Sequence, residues 1–171
     1  MDLLKLGVLG TSTKENERRL PLHPAHIERI DDDLRASLFL EHGYGERYGV
    51  SDSHLAPLVA GMLTHDEIIA ASDVVLLPKP TLADIKSLRD DQVLWGWPHA
   101  VQDTPLTQLA IDKRLTLIAW EAMNHWTPGG SFMVHVFHLN NELAGYCSVL
   151  HALVLSGTTG HYGRHMTAAV I

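Results

Sequence analysis

Five short apolar runs, at residues 4–9, 38–40, 74–77, 93–97 and 115–120, are separated by segments carrying helix-start signals. No other feature constrains the fold as strongly. Strands that alternate with helices form a parallel sheet, because each parallel crossover needs a helix-sized connection. The run 74–77 (VVLL) is continuously apolar, the pattern of a strand buried on both faces. The expected fold class is α/β: a Rossmann-like or flavodoxin-like parallel sheet with helices on both faces.

The connections support this. Pro24 can open a helix with apolar positions Ile27, Ile30 and Leu34. Gly43-Tyr44-Gly45 reads as a turn; with Gly49 it misses the dinucleotide-binding spacing by one residue. Ser51 can cap a short helix, and Thr64 with Glu67 forms a capping box. Pro78 and Pro80 stop the strand that precedes them, and Thr81 can cap the next helix. Thr104 followed by Pro105 is another helix start. Beyond Thr127-Pro128-Gly129-Gly130, residues 140–156 predict one long helix with the stripe Leu143, Cys147, Leu150 and Val154, ended by Gly157 and Gly160. Residues 166–171 turn apolar again, like the start of a strand.

A formal charge of -7 argues against nucleic acid, whose phosphates need a basic face. No apolar run approaches the ~20 residues that cross a bilayer. One cysteine, Cys147, excludes an intrachain disulfide framework, and a cytoplasmic location is the simplest expectation. Twelve histidines raise the question of a metal. His135 and His138 are three apart and His161 and His165 four apart, but neither pair has an acidic or Cys partner at ligand spacing. Scattered surface and loop histidines are the reading adopted, with no metal site.

In parallel sheets ligands collect outside the carboxyl ends of the strands. The unusual polar residues follow strands: residues 14–19, Lys79, His99 and Glu121. Arg presents a planar fork to a carboxylate, Lys a point charge beside a carbonyl oxygen, and His a proton carrier near neutral pH. Such a set suits a small oxo acid, though a hydride would need a cofactor. Each residue also has a plainer reading. Arg18 and Arg19 beside Glu15 and Glu17 form a solvated charge cluster equally well, and Lys79 an exposed turn lysine.

Residues 6–24, LGVLGTSTKENERRLPLHP, resemble the amino-terminal signature of the alanine dehydrogenase and transhydrogenase family. The resemblance continues through residues 41–45, 73–80, 93–99 and 119–121, in family order and spacing. Residues 15–21 (ENERRLP), 96–102 (GWPHAVQ) and 140–145 (NNELAG) look most like the N5-(carboxyethyl)ornithine synthase branch. That resemblance implies reductive condensation of a 2-oxo acid, pyruvate, with an amino-acid amine, using NADPH or NADH. It implies Arg19 as the carboxylate anchor, Lys79 as the contact to the oxo acid and a catalytic group, His99 as the catalytic histidine, and Glu121 as a substrate-binding acid. Two departures from the alanine dehydrogenase pattern favour a bulky amine: Leu77-Pro78-Lys79-Pro80 for Lys-Val-Lys-Glu-Pro, and Asn140-Asn141-Glu142 for Met-Ser-Glu. Oxidative deamination of a simple amino acid, and a non-catalytic binding module or split subunit, stand as alternatives.

The expected organisation is a substrate-binding domain at residues 1–138, an interdomain helix at 139–160, and at 161–171 the start of a nucleotide-binding domain otherwise missing from the chain. The expected partners are a 2-oxo acid and an amino acid, with no nucleic acid and no membrane. The long helix suits a homo-oligomer.

Overall fold

The computed structural model describes residues 3–158, 162–165 and 167. Contacts divide the chain into two compact units, Met1–Ala122 and Met123–Ile171. The first unit is a six-stranded parallel sheet. Its strands are β1 (Leu6–Val8), β2 (Leu38–Glu41), β3 (Gly61–Leu63), β4 (Val74–Leu76), β5 (Val93–Gly96) and β6 (Thr116–Ala119), in the order β3-β2-β1-β4-β5-β6. The five expected runs all form strands. β3 is an addition: three residues beginning with glycine carry too little pattern to be read from sequence.

Three helices cover one face: α3 (His65–Ala71), α4 (Leu82–Ser87) and α5 (Thr104–Asp112). Their Ile68, Ile69, Ile85 and Leu106 form one buried cluster with Val75 and Leu94 of the interior strands and Leu77 just past β4. Gly7 of β1 admits α3 closely, since a Cβ there would meet Ser72 Oγ at 2.2 Å. The opposite face, presenting Leu6, Leu38, Val74, Leu76, Trp95 and Ile118, shares an apolar groove of about 490 Å³ with Pro21, Leu22, Ile30 and Leu34.

The capping box expected at Thr64 forms, and Thr81 caps the next helix as expected, with Asp84 completing a second box. Thr64 accepts from the Glu67 amide, and the Glu67 carboxylate takes the Thr64 amide; Thr81 and Asp84 do the same for α4. At α5 the cap is Asp103 rather than Thr104: its Oδ1 accepts from the Leu106 amide at 3.0 Å. The helix expected after Pro24 is broken. A 3-10 turn, Pro24–Arg29, gives way at the extended Ile30 to the one-turn helix α1 (Asp32–Arg35). Only Ile27 of the three expected apolar positions is fully buried, so the periodicity lacks a continuous face to bury. Ser51 stands at the start of α2 (Asp52–Leu55), but its side chain makes no capping bond.

The second unit holds an antiparallel hairpin, β7 (Asn124–Trp126) and β8 (Phe132–His135), and the long helix α6 (His138–Leu155). Gly157, at φ 68°, closes α6 as a Schellman motif, with Gly157 N–H on Val154 O and Thr158 N–H on Leu153 O. The stripe residues of α6 contribute nothing to a core, for no α6 residue is buried. Gly160 and, apart from Thr167, the strand expected at 166–171 lie outside the described residues. Among the described residues no helix is long and apolar enough to cross a membrane.

Candidate functional site

The strand order reverses between β1 and β4: the chain runs outward through β2 and β3 on one side and through β5 and β6 on the other. The crevice for a ligand in such a sheet lies outside the carboxyl ends at that switch point. The segments arriving there are residues 9–23 after β1, Pro78 and Lys79 after β4, residues 97–99 after β5, and Trp120 and Glu121 after β6. These carry the four residues singled out from sequence.

The long loop after β1 is held down along its length. Gly10 and Thr11 amides donate to Glu41 Oε2 at 2.7 and 2.9 Å. Ser12 Oγ donates to the Lys79 carbonyl at 2.7 Å, and Thr13 donates through its amide and hydroxyl to the buried Asp84 carboxylate. Further on, Arg47 donates to the Arg18 carbonyl at 2.6 Å. The Tyr44 hydroxyl donates to Leu22 O at 2.8 Å and accepts from Leu22 N–H at 3.0 Å. Burial pushes the Tyr44 phenol well above its ordinary range, so it stays a donor to that carbonyl.

Arg19 is the best-defined side chain of the loop. Its Nε and Nη2 donate to Glu17 Oε1 and Oε2 at 2.8 and 2.6 Å, a bidentate pair. Hydrogen bonding to Arg19 holds the Glu17 carboxyl down at about 2, against burial that would raise it. The Arg19 guanidinium lies 4.7 Å from the centroid of the Trp97 ring, and Trp97 meets Trp120 edge-on at 4.5 Å. Glu17 therefore occupies one edge of the guanidinium and Trp97 one face, leaving Nη1 for another anion.

His99 stands two residues past Trp97, at φ 49°, a left-handed conformation uncommon for a non-glycine residue. Its amide donates to Glu121 Oε1 at 2.7 Å, so the Glu121 carboxylate holds the His99 backbone. The β4 and β5 ends are joined by Leu77 N–H on Trp95 O at 3.0 Å and Trp97 N–H on Pro78 O at 2.8 Å. That seam is tight: a Cβ on Gly96 would lie 1.9 Å from Leu77 O. Lys79 is partly buried, and among the described residues its ammonium makes no hydrogen bond or ion pair.

Arg19, His99 and Glu121 are thus linked through the two tryptophans, and Lys79 is fixed beside them through its backbone. Sequence reasoning missed Glu17, Glu41 and Asp84 as anchors and Trp97 as the platform for Arg19. Glu41 and Asp84 take donors 30 and 71 positions away and Trp97 lies across a strand end from Arg19, while Glu17, two residues from Arg19, gives no sign in sequence that it pairs with it. No group of three His, Cys, Asp or Glu residues that could hold a metal ion occurs among the described residues. His135 and His138 are split between β8 and the first residue of α6, and His161 lies outside the described residues.

A nucleotide cofactor does not fit the β1 crevice. No helix follows β1 until the 3-10 turn at Pro24, and the Gly10 and Thr11 amides that would face a phosphate are already bonded to Glu41.

A model of the alanine dehydrogenase/PNT N-terminal domain matches residues 8–136. The N(5)-(carboxyethyl)ornithine synthase of Clostridium botulinum is 24% identical over 172 residues, covering 91% of this chain and 50% of that protein. An alanine dehydrogenase of Mycobacterium tuberculosis is 27% identical over 161 residues, covering 92% of this chain and 42% of the relative. The chain therefore spans about half the length of these relatives or somewhat less. Among solved structures, a transhydrogenase from Sinorhizobium meliloti superposes with a TM-score of 0.66 at 20% identity, over 87% of this chain and 44% of that one. An L-alanine dehydrogenase gives 0.60 at 23% identity, over 75% and 35%. Both structures share the fold described above.

Proposed function

The chain belongs to the alanine dehydrogenase/PNT N-terminal domain family, and from that premise we propose that it is the substrate-binding part of an NAD(P)H-dependent oxidoreductase that reductively condenses a 2-oxo acid, pyruvate, with an amino-acid amine. The observation that carries this reading is the convergence of Arg19, Lys79, His99 and Glu121 at the carboxyl ends of four neighbouring strands. In this proposal residues 1–138 bind substrate, residues 139–160 form an interdomain helix, and residues 161–171 open a nucleotide-binding domain.

Arg19, held by Glu17 and stacked on Trp97, grips the oxo-acid carboxylate with its remaining N–H groups. The Lys79 ammonium, unpaired among the described residues, donates to the keto oxygen and draws electron density from the carbonyl carbon. The amine attacks that carbon. His99 takes the proton the nitrogen sheds and returns it to the hydroxyl of the carbinolamine, which leaves as water to give the imine. Glu121 fixes the His99 backbone for both transfers. Reduction of the imine needs a nicotinamide, NADPH or NADH.

The test is pyruvate-dependent oxidation of NADPH or NADH by the protein expressed from its own gene, with ornithine, lysine or ammonia as amine. Lys79→Ala and His99→Ala are each expected to slow turnover by roughly a hundredfold or more. Near-normal turnover in both variants overturns the proposal.

The 27% identity to an alanine dehydrogenase favours a second reading, oxidative deamination of a simple amino acid. Preference for ammonia over ornithine and lysine selects it. Failure of all three amines with both cofactors selects a non-catalytic module.

A further inference from the structure

The strand order β3-β2-β1-β4-β5-β6 is that of dinucleotide-binding domains. In those domains the amides of the loop after β1 receive pyrophosphate, and an acid near the end of β2 takes a ribose hydroxyl. This chain has the order and the acid, Glu41, at the last position of β2. Here, however, Glu41 is a buried residue, 7% exposed, and its carboxylate lies across the end of β1, on the amides that would face a phosphate.

Every contact of that carboxylate belongs to an anion cradle. Gly10 and Thr11 amides converge on Oε2 at 2.7 and 2.9 Å, and the Thr11 hydroxyl reaches both oxygens, at 2.8 Å to Oε1 and 3.0 Å to Oε2. His65 Nδ1, at the first turn of α3, stands 3.0 Å from Oε1. Two successive backbone amides aimed at one oxygen form the kind of concavity that holds phosphate and carboxylate ions. Gly10 leaves little room besides: a Cβ there would lie 3.1 Å from the Tyr44 ring and 3.5 Å from Glu41 Oε2.

We propose that the crevice between the carboxyl ends of β1 and β2 is an oxyanion cradle filled by the chain's own Glu41, which shuts nucleotide phosphate out of this sheet and fixes the start of the loop carrying Arg19. Glu41 is a positioning residue, acting on Arg19 through residues 10–13. The cradle's specificity is for a small oxyanion, carboxylate or phosphate. The inference stands apart from the proposed reaction, because it concerns what the cradle holds and not what the enzyme turns over.

The test removes the internal anion and supplies a free one to the whole 171-residue chain. Thermal midpoints of wild type and Glu41→Ala are followed against sodium acetate, sodium formate and inorganic phosphate, with sodium chloride at matched ionic strength as control. Wild type is expected to follow the chloride control. Glu41→Ala is expected to melt lower and to regain its midpoint saturably with acetate, formate or phosphate. Thr11→Val added to Glu41→Ala is expected to remove most of that recovery. A folded Glu41→Ala chain that merely follows chloride overturns the proposal, as does a wild type that responds equally. Should Glu41→Ala fail to fold, Glu41→Gln decides by amide exchange. Loss of the charged acceptor is expected to speed exchange at Gly10 and Thr11 about tenfold, with β4 and β5 amides unchanged. Unaltered exchange at Gly10 and Thr11 overturns it.

Discussion

Replacing Gly96 by alanine is expected to damage the site through the sheet rather than through any catalytic group. The added Cβ would sit 1.9 Å from Leu77 O, 3.0 Å from Leu77 C and 3.4 Å from Pro78 O. All three are backbone atoms, so no side chain can swing away. Restoring an ordinary contact of about 3.5 Å requires the end of β4 to move by roughly 1.5 Å. A shift of that size breaks Leu77 N–H on Trp95 O and Trp97 N–H on Pro78 O. Two lost hydrogen bonds at about 1 kcal/mol each, with overpacking of about 1–3 kcal/mol, give a loss of roughly 3–5 kcal/mol. For a chain of this size that lowers the midpoint by roughly 10 °C. Differential scanning calorimetry measures it, with Gly61→Ala as control. A Cβ on Gly61 would meet the Phe39 ring at 3.5 Å, an ordinary contact, so that variant is expected within about 1 kcal/mol of wild type. A Gly96→Ala midpoint within about 2 °C of wild type would refute the reasoning.

Three further outcomes follow from the anchors of the site. The Glu17 carboxyl, at about 2 when folded and 4.5 ordinarily, stabilises the chain above pH 4.5 and loses that contribution as pH falls toward 2. Arg19 is 45% exposed, so screening limits the contribution to about 1 kcal/mol or less. Urea unfolding at pH 5 and pH 3 should show wild type losing more stability than Glu17→Gln; parallel losses would contradict the pairing. Tyr44→Phe, which leaves both Leu22 backbone groups without the hydroxyl, is expected to cost about 1–2 kcal/mol in urea unfolding. An unchanged midpoint would show that Tyr44 does not pin the loop. His99→Gly relieves a non-glycine φ of 49° and is expected to raise stability by roughly 0.5–1 kcal/mol while removing the imidazole. A destabilised His99→Gly chain would mean that the side chain, not the turn, matters to folding.

The parts of this molecule legible in its sequence are those governed by neighbours along the chain. The Thr64–Glu67 capping box needs only residues three apart, and it forms; Thr81 caps α4 as expected. Four of the five apolar runs become the central strands, because a strand buried on both faces leaves no polar alternation to misread. The placement of Arg19, Lys79, His99 and Glu121 just past strands is also local, and it brings them to one end of the sheet once the strands are parallel. What escaped depends on partners distant in sequence. Helical periodicity after Pro24 could not show that Ile30 would be extended, since the break follows from how the segment lies on the sheet. β3 is three residues long and is defined by its register with Phe39, Leu40 and Glu41 rather than by its own pattern. Nothing local marks Glu41 and Asp84 as buried; each is buried where the loop after β1 brings donors to it.

The central claim is that the crevice after β1, β4, β5 and β6 binds a 2-oxo acid. The most direct measurement is a pyruvate titration of the 171-residue chain, followed by ¹H–¹⁵N NMR, for wild type and Arg19→Ala. Saturable shifts at residues 10–19, Lys79 and residues 97–99, lost in Arg19→Ala, are predicted. Shifts elsewhere, or binding indifferent to Arg19, would contradict the account.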